Sequence, residues 1–221
     1  MGLYVKIGCL LIKAEDGFFY LHATENTRNL PIWKSKNLIN WEFVGTAFTK
    51  DTHPDFLEMS TIWAPDINFI KGNYVLYYSL SKLKEYEKNG IGVAVSKSPE
   101  GPSIDRGKLF TSEEIGVRNS IDAFYYEDNG KKYLFWGSFR GIFGIELAKN
   151  GLKIKRKAKK VQIAGTFMEA TAIEKREGYY FLFGSAGSCC DGADIKYHIT
   201  YGRSKSLFGP YLTKDGGING Q

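Results

Sequence analysis

Cysteine is scarce in this chain of 221 residues: Cys9, Cys189 and Cys190 are all it has, and no two stand as Cys-x-x-Cys. An odd count without metal-ligand spacing argues against a disulfide framework and against a zinc cage. The thiols read as small buried apolar side chains, an uncommon vicinal bridge between Cys189 and Cys190 being the alternative. Histidine is equally thin, at three residues. Long apolar runs are missing too: nothing approaches the roughly 18 residues that a membrane span needs, so no membrane partner is expected. The opening stretch MGLYVKIGCLLIKA is interrupted by Lys6. Its apolar part is shorter than the roughly 7 to 15 residues of a signal-peptide core, so it reads as a first strand, no signal peptide is assigned and localisation stays open.

The net charge is +6, yet the 30 basic and 24 acidic side chains are mixed along the chain. Without a clustered basic stripe no nucleic-acid partner is expected, because phosphate contacts need several converging cations. The longest basic run, KIKRKAKK at Lys153 to Lys160, alternates like a strand with one wet face. What the chain has in quantity is aromatic residues, 15%, and 25 glycines, which together favour strands and tight turns over helices. An all-β domain follows.

An aromatic-Leu-aromatic strand ending in small residues recurs along the chain: FFYLHAT from Phe18, NYVLYYS from Asn73, KKYLFWGS from Lys131 and YYFLFGS from Tyr179. Turn signals precede the copies at Asp16-Gly17, Lys71-Gly72, Asn129-Gly130 and Glu177-Gly178. An apolar strand lies before each turn, and two more strands are expected after each copy. The leucines at the centres, Leu21, Leu76, Leu134 and Leu182, stand about fifty residues apart. Four short antiparallel strands at that spacing is the arithmetic of β-propeller blades rather than of a sandwich, which gives no reason for a repeat once per four strands. The expected units are 1–60, 61–115, 116–163 and 164–221 of a single partial propeller, four blades with the chain stopping where a fifth would begin.

Four segments met in order, WAPDI at Trp63, NSIDAFYYEDNGKKYLFWGSF at Asn119, MEATAIEKREGYYFLFGSAGSCC at Met168 and YGRSKSLFGPYLTKDG at Tyr201, resemble glycoside hydrolase family 43. The resemblance implies a five-bladed β-propeller acting on arabinan, arabinofuranosides or xylosides, and the last two segments are most similar to the arabinan-directed branch. Inverting hydrolysis of a glycosidic bond needs a carboxylic acid for the leaving oxygen and a carboxylate base for water, roughly 6.5 to 9.5 Å apart. By the resemblance Glu169 matches the general acid, beside Phe167 and Met168, where burial would favour the protonated form. Asp122 matches the auxiliary carboxylate that orients and tunes that acid, with Ala123 standing where the family commonly has proline.

For the general base no residue is found. The family opens its first inner strand on an aspartate, and this chain reads Lys6-Ile7-Gly8 there, with no acid from Met1 through Ala14. Trp63, Asp66, Phe167 and Arg140 are candidates for sugar binding, the indole by stacking and the carboxylate by holding hydroxyls. Relatives often hold a calcium in the channel through a histidine of the fifth blade, but His22, His53 and His198 do not match that motif, so neither a cofactor nor a protein-built metal site is expected. The implied partner is an oligo- or polysaccharide, and an open blade edge makes a homo-oligomer conceivable. Relatives of this kind are often secreted or periplasmic. Two functions compete: a glycosidase with impaired turnover, and a catalytically inactive carbohydrate-binding propeller.

Overall fold

The structure, a computed structural model, describes residues 9–24, 29–82, 85–188 and 194–214. The chain folds as two compact units, Met1–Ala123 with Asn150–Lys153 and Phe124–Lys149 with Ile154–Gln221. In the first unit β1 (Cys9–Lys13), β2 (Phe19–Ala23), β3 (Pro31–Ser35) and β4 (Glu42–Thr46) form one antiparallel meander. A second meander follows from β5 (Thr61–Ile70), β6 (Asn73–Ser81), β7 (Gly90–Ser96) and β8 (Ile104–Thr111), closed by the short helix α1 (Ser112–Ile115). In the second unit β9 (Phe124–Asp128), β10 (Lys131–Trp136), β11 (Ile142–Glu146) and β12 (Val161–Ala164) make a third, and β13 (Met168–Arg176), β14 (Tyr179–Ala186) and β15 (His198–Ser204) the last. Each sheet is a meander in chain order, as a propeller blade requires.

The turns explain the register. Lys71-Gly72, Asn129-Gly130 and Glu177-Gly178 all have both residues at positive φ, the two-residue geometry whose twist matches a hairpin. Those turns align Leu76 with Ile67, Leu134 with Tyr125 and Leu182 with Ile173. In the first sheet Leu21 pairs with Leu11 in the same way. The β6 strand is buried from Tyr74 through Leu80, which is why it reads as a continuous apolar run and not as an alternating one. Within the first unit Tyr20, Ile32, Phe48, Ile67, Leu76 and Tyr78 join the first two sheets in one core.

Two expectations are corrected. KIKRKAKK is not a strand: Ile154 makes one bridge with Leu147, Lys157 adopts a left-handed φ of 64°, and the Ala158 amide donates to the Lys155 carbonyl across a turn. Its alternation carries no apolar face of period two, since exposed Arg156 stands between Ile154 and Ala158 on that face and both are only half-buried. Among the described residues the last sheet has three strands, where four were expected. Pro210 has no amide hydrogen to extend a ladder, and beyond it a single bridge joins Leu212 to Arg203.

His22 on β2 is buried, its Nε2 facing the Pro99 carbonyl oxygen at 3.0 Å while Nδ1 has no partner. Burial outweighs that hydrogen bond and pushes its pKa down to about 4. Above pH ~6.5, the value of an unfolded histidine, the ring is neutral in both states and contributes nothing. As pH falls from 6.5 towards 4, the unfolded chain takes up a proton that the folded chain refuses, so stability is lost. Urea unfolding is expected to show a fall of about 2 kcal/mol between pH 6.5 and 5, before carboxylates begin to titrate. Replacing His22 with glutamine should flatten that slope; an unchanged slope would remove His22 as its cause.

Candidate active site

Counted back along the chain from Ile67, Tyr125 and Ile173, the partners of Leu76, Leu134 and Leu182, residues Trp63, Ile121 and Glu169 stand at one equivalent position and Ala64, Asp122 and Ala170 at the next. The backbone confirms the equivalence, because Ala64, Asp122 and Ala170 are all left-handed, at φ of 44°, 60° and 52°. In β5 and β13 the pairing skips between Trp63 and Asp66 and between Glu169 and Ala172. These are bulges, which re-aim side chains at a strand's opening. A non-glycine residue held at positive φ is strained and tends to mark a functional site.

Small hydroxyl residues at the ends of the repeated second strands tie these openings down. The Thr24 hydroxyl oxygen accepts from the Ala64 amide at 2.7 Å, and the Ser79 hydroxyl from the Asp122 amide at 3.1 Å. In the second unit the counterpart Ser138 instead donates to Glu169 Oε2 at 2.6 Å. Thr24, Ser79 and Ser138 are each buried, and each bond is partly shielded from water. The repeat made these small residues visible in the sequence, but nothing there assigned them a role.

Asp122 is held from behind as well. The Asn89 side-chain amide donates to Asn119 Oδ1 at 2.6 Å, the Asn119 amide donates to the Tyr86 carbonyl, and the Ser120 amide donates to Ser112 Oγ at 3.0 Å. Ser112 opens α1, whose Thr111–Glu114 capping box and left-handed Gly116 fix both ends of so short a helix. The loop before Asp122 is therefore rigid, and the aspartate, half-buried, is presented by it.

Glu169 is half-buried and receives a second donor: the Tyr197 hydroxyl lies 2.9 Å from Oε1. Each carboxylate oxygen thus faces a hydroxyl. Gly187, at φ +88°, runs against the Lys196 carbonyl so closely that a Cβ there would collide with it, which fixes the chain just ahead of Tyr197. The apolar pocket expected around Glu169 is not what surrounds it. Met168 turns into the core and is fully buried, Phe167 is 37% exposed, and hydroxyl groups take up the carboxylate.

Among the other candidates, Trp63 is half-buried and its indole N–H donates to Thr61 Oγ1, leaving ring surface accessible. Asp66 is buried and accepts from the Asn68 amide at 3.0 Å, so it braces the strand below the bulge. Arg140 is exposed and its guanidinium donates to the Phe139 carbonyl. Lys6-Ile7-Gly8 and the Cys189-Cys190 pair lie outside the described residues. Of the three histidines, His22 is walled into β2, His53 sits in the loop before β5, and His198 at β15 faces the Lys196 carbonyl oxygen. No group of three or more His, Cys, Asp or Glu side chains converges among the described residues.

Comparison with known proteins gives the family. The sequence profile of glycosyl hydrolases family 43 matches residues 9–218. An extracellular endo-α-(1→5)-L-arabinanase of Bacillus subtilis is 34% identical over 93% of this chain and 67% of its own length. An extracellular exo-α-(1→5)-L-arabinofuranosidase of Cellvibrio japonicus is 33% identical, with 93% and 66% covered. The chain thus spans about two thirds of the length of these relatives. The solved α-L-arabinanase of Cellvibrio cellulosa superposes with a TM-score of 0.83 at 30% identity, over 96% of this chain and 75% of that one. The native arabinanase of Bacillus subtilis gives 0.81 at 32%, over 95% and 76%. With the repeated meanders, the bulged inner strands and a family match running from the first strand past the last, this chain is a β-propeller glycoside hydrolase and belongs to glycosyl hydrolases family 43.

Proposed function

We propose that the chain acts on α-L-arabinofuranosyl linkages of arabinan by inverting hydrolysis, with Glu169 as general acid and Asp122 as the carboxylate that orients and tunes it. The observation that carries this reading is the Glu169 carboxyl at the bulge of β13, with the Ser138 and Tyr197 hydroxyls on its two oxygens. A general acid must be held in one orientation towards the leaving oxygen, and the two hydrogen bonds fix the plane of the Glu169 carboxyl. The names of the relatives support arabinan as the polymer. Trp63 offers an indole face for a sugar ring.

The same reading includes a deficit. No acidic residue occurs from Met1 through Ala14, so this reading assigns no general base and expects slow turnover. That observation also favours the second reading, a propeller that still holds arabinan but no longer cleaves it. Calorimetric titration with linear arabino-oligosaccharides, with product followed in the same sample, separates them. Binding with slow product release supports the first reading, binding without product the second, and no binding overturns both.

Tyr197 and Ser138 are positioning residues here. Replacing Tyr197 with phenylalanine is expected to lower kcat about two- to tenfold with KM unchanged, since a neutral hydrogen bond is worth roughly 0.5 to 1.5 kcal/mol. Steady-state kinetics on arabinotriose checks this; a change confined to KM would place Tyr197 on the sugar instead.

A further inference from the structure

The turn between β5 and β6 lies at the far end of that hairpin from Trp63, ~25 Å away at strand spacing. A cleft of about 210 Å³ opens there. Lys71, Asn73, Arg106 and Asn150 supply its polar lining. Its apolar surface comes from Ile70, Val75, Val95 and Leu152. Lys71 and Arg106 are exposed, and neither pairs with a carboxylate among the described residues. A third cation is at hand: Lys97 Nζ lies 3.5 Å from the Gly72 carbonyl of the same turn. The neighbouring acid, Asp105, is committed elsewhere, accepting from the Tyr78 hydroxyl at 2.6 Å and the Gly107 amide at 3.0 Å.

The wall is preformed. The Tyr77 hydroxyl donates to the Gly151 carbonyl at 2.7 Å in a buried bond, and a Cβ on Gly151 would sit 2.9 Å from that hydroxyl. Asn150 spends its Oδ1 on the Leu152 amide at 3.1 Å, and Asn73 spends its NH₂ on the Lys71 carbonyl at 3.1 Å. The NH₂ of the first and the Oδ1 of the second remain as one donor and one acceptor.

We propose that this cleft binds a carboxylate-bearing sugar, one hexuronate residue of an acidic polysaccharide. Two unpaired cations suit the carboxylate, with the guanidinium able to meet both its oxygens. The aliphatic surface suits the C–H face of a pyranose ring, and the amide groups suit hydroxyls. The volume is below the ~300 Å³ of pockets for drug-sized ligands, which suits one ring of the polymer. An arabinofuranosyl chain carries no charge and gains nothing from Lys71 and Arg106. The site therefore takes a different polymer from the one cleaved, and holds the enzyme on an acidic matrix while the other end of the sheet works on neutral chains.

Titration of the full chain with trigalacturonate at low salt, followed by calorimetry, tests this. One site is expected, weakened at least about tenfold by the Lys71→Glu/Arg106→Glu double variant through loss of charge-assisted bonds. The methyl-esterified trimer should not bind, and turnover of arabinotriose should be unchanged in the variant. Thermal unfolding of the variant at the wild-type temperature checks that these exposed changes leave the fold intact. The proposal is overturned if wild type does not bind, if the ester binds equally, if the folded double variant binds as well as wild type, or if inorganic phosphate displaces the sugar at equal concentration.

Discussion

Changing Glu169 to glutamine should lower the hydrolysis of arabinotriose by 10²- to 10⁴-fold, the range that a positioned general acid contributes. The substitution keeps the shape of the side chain. Its carbonyl oxygen still accepts from one of the Ser138 and Tyr197 hydroxyls, and its amide donates to the other, which can turn and accept. The bulge of β13 and the buried Met168 beside it are untouched, so thermal unfolding should move little. What is lost is the transferable proton. A substrate whose leaving group departs without protonation, such as 4-nitrophenyl arabinofuranoside, should therefore lose far less than arabinotriose. Equal losses on both substrates would mean that Glu169 acts in binding or folding, and the assignment would fail.

The sequence made some of this legible and hid the rest for physical reasons. Hairpins were readable because Lys71-Gly72, Asn129-Gly130 and Glu177-Gly178 carry their geometry in a two-residue signature, and register follows from the turn. Glu169 and Asp122 were readable only through resemblance, since an isolated acid in a loop says nothing of its neighbours. Ser138 and Tyr197 were not readable: the first is a small residue among many, and the second reaches Glu169 from the connection between β14 and β15, distant in sequence by 28 residues. KIKRKAKK misled because alternating charge imitates strand periodicity without a face to bury. The burial of Asp66 was not readable either, since it follows from the bulge between Trp63 and Asp66 and from the bond to Asn68.

Restoring a carboxylate at the opening of β1 should have the opposite sign and comparable size. Leu11 pairs with Leu21 as Tyr125 pairs with Leu134 and Ile173 with Leu182. By sequence count alone, the step of three residues that leads from Tyr125 to Asp122 and from Ile173 to Ala170 leads from Leu11 to Gly8, which lies outside the described residues. Gly8→Asp is therefore expected to raise arabinotriose hydrolysis by 10²- to 10⁴-fold, the contribution of a general base that activates water. Gly8→Asn has nearly the same shape and no basic carboxylate, so it should leave the rate where it is. The gain should also disappear when Glu169 is glutamine, because an acid and a base that act in one transition state are not additive. Initial rates of the single variants, the double variant and the unaltered chain close this cycle. A gain from both Asp and Asn would trace to backbone stiffening at Gly8, and no gain from Asp would show that water is activated from another strand.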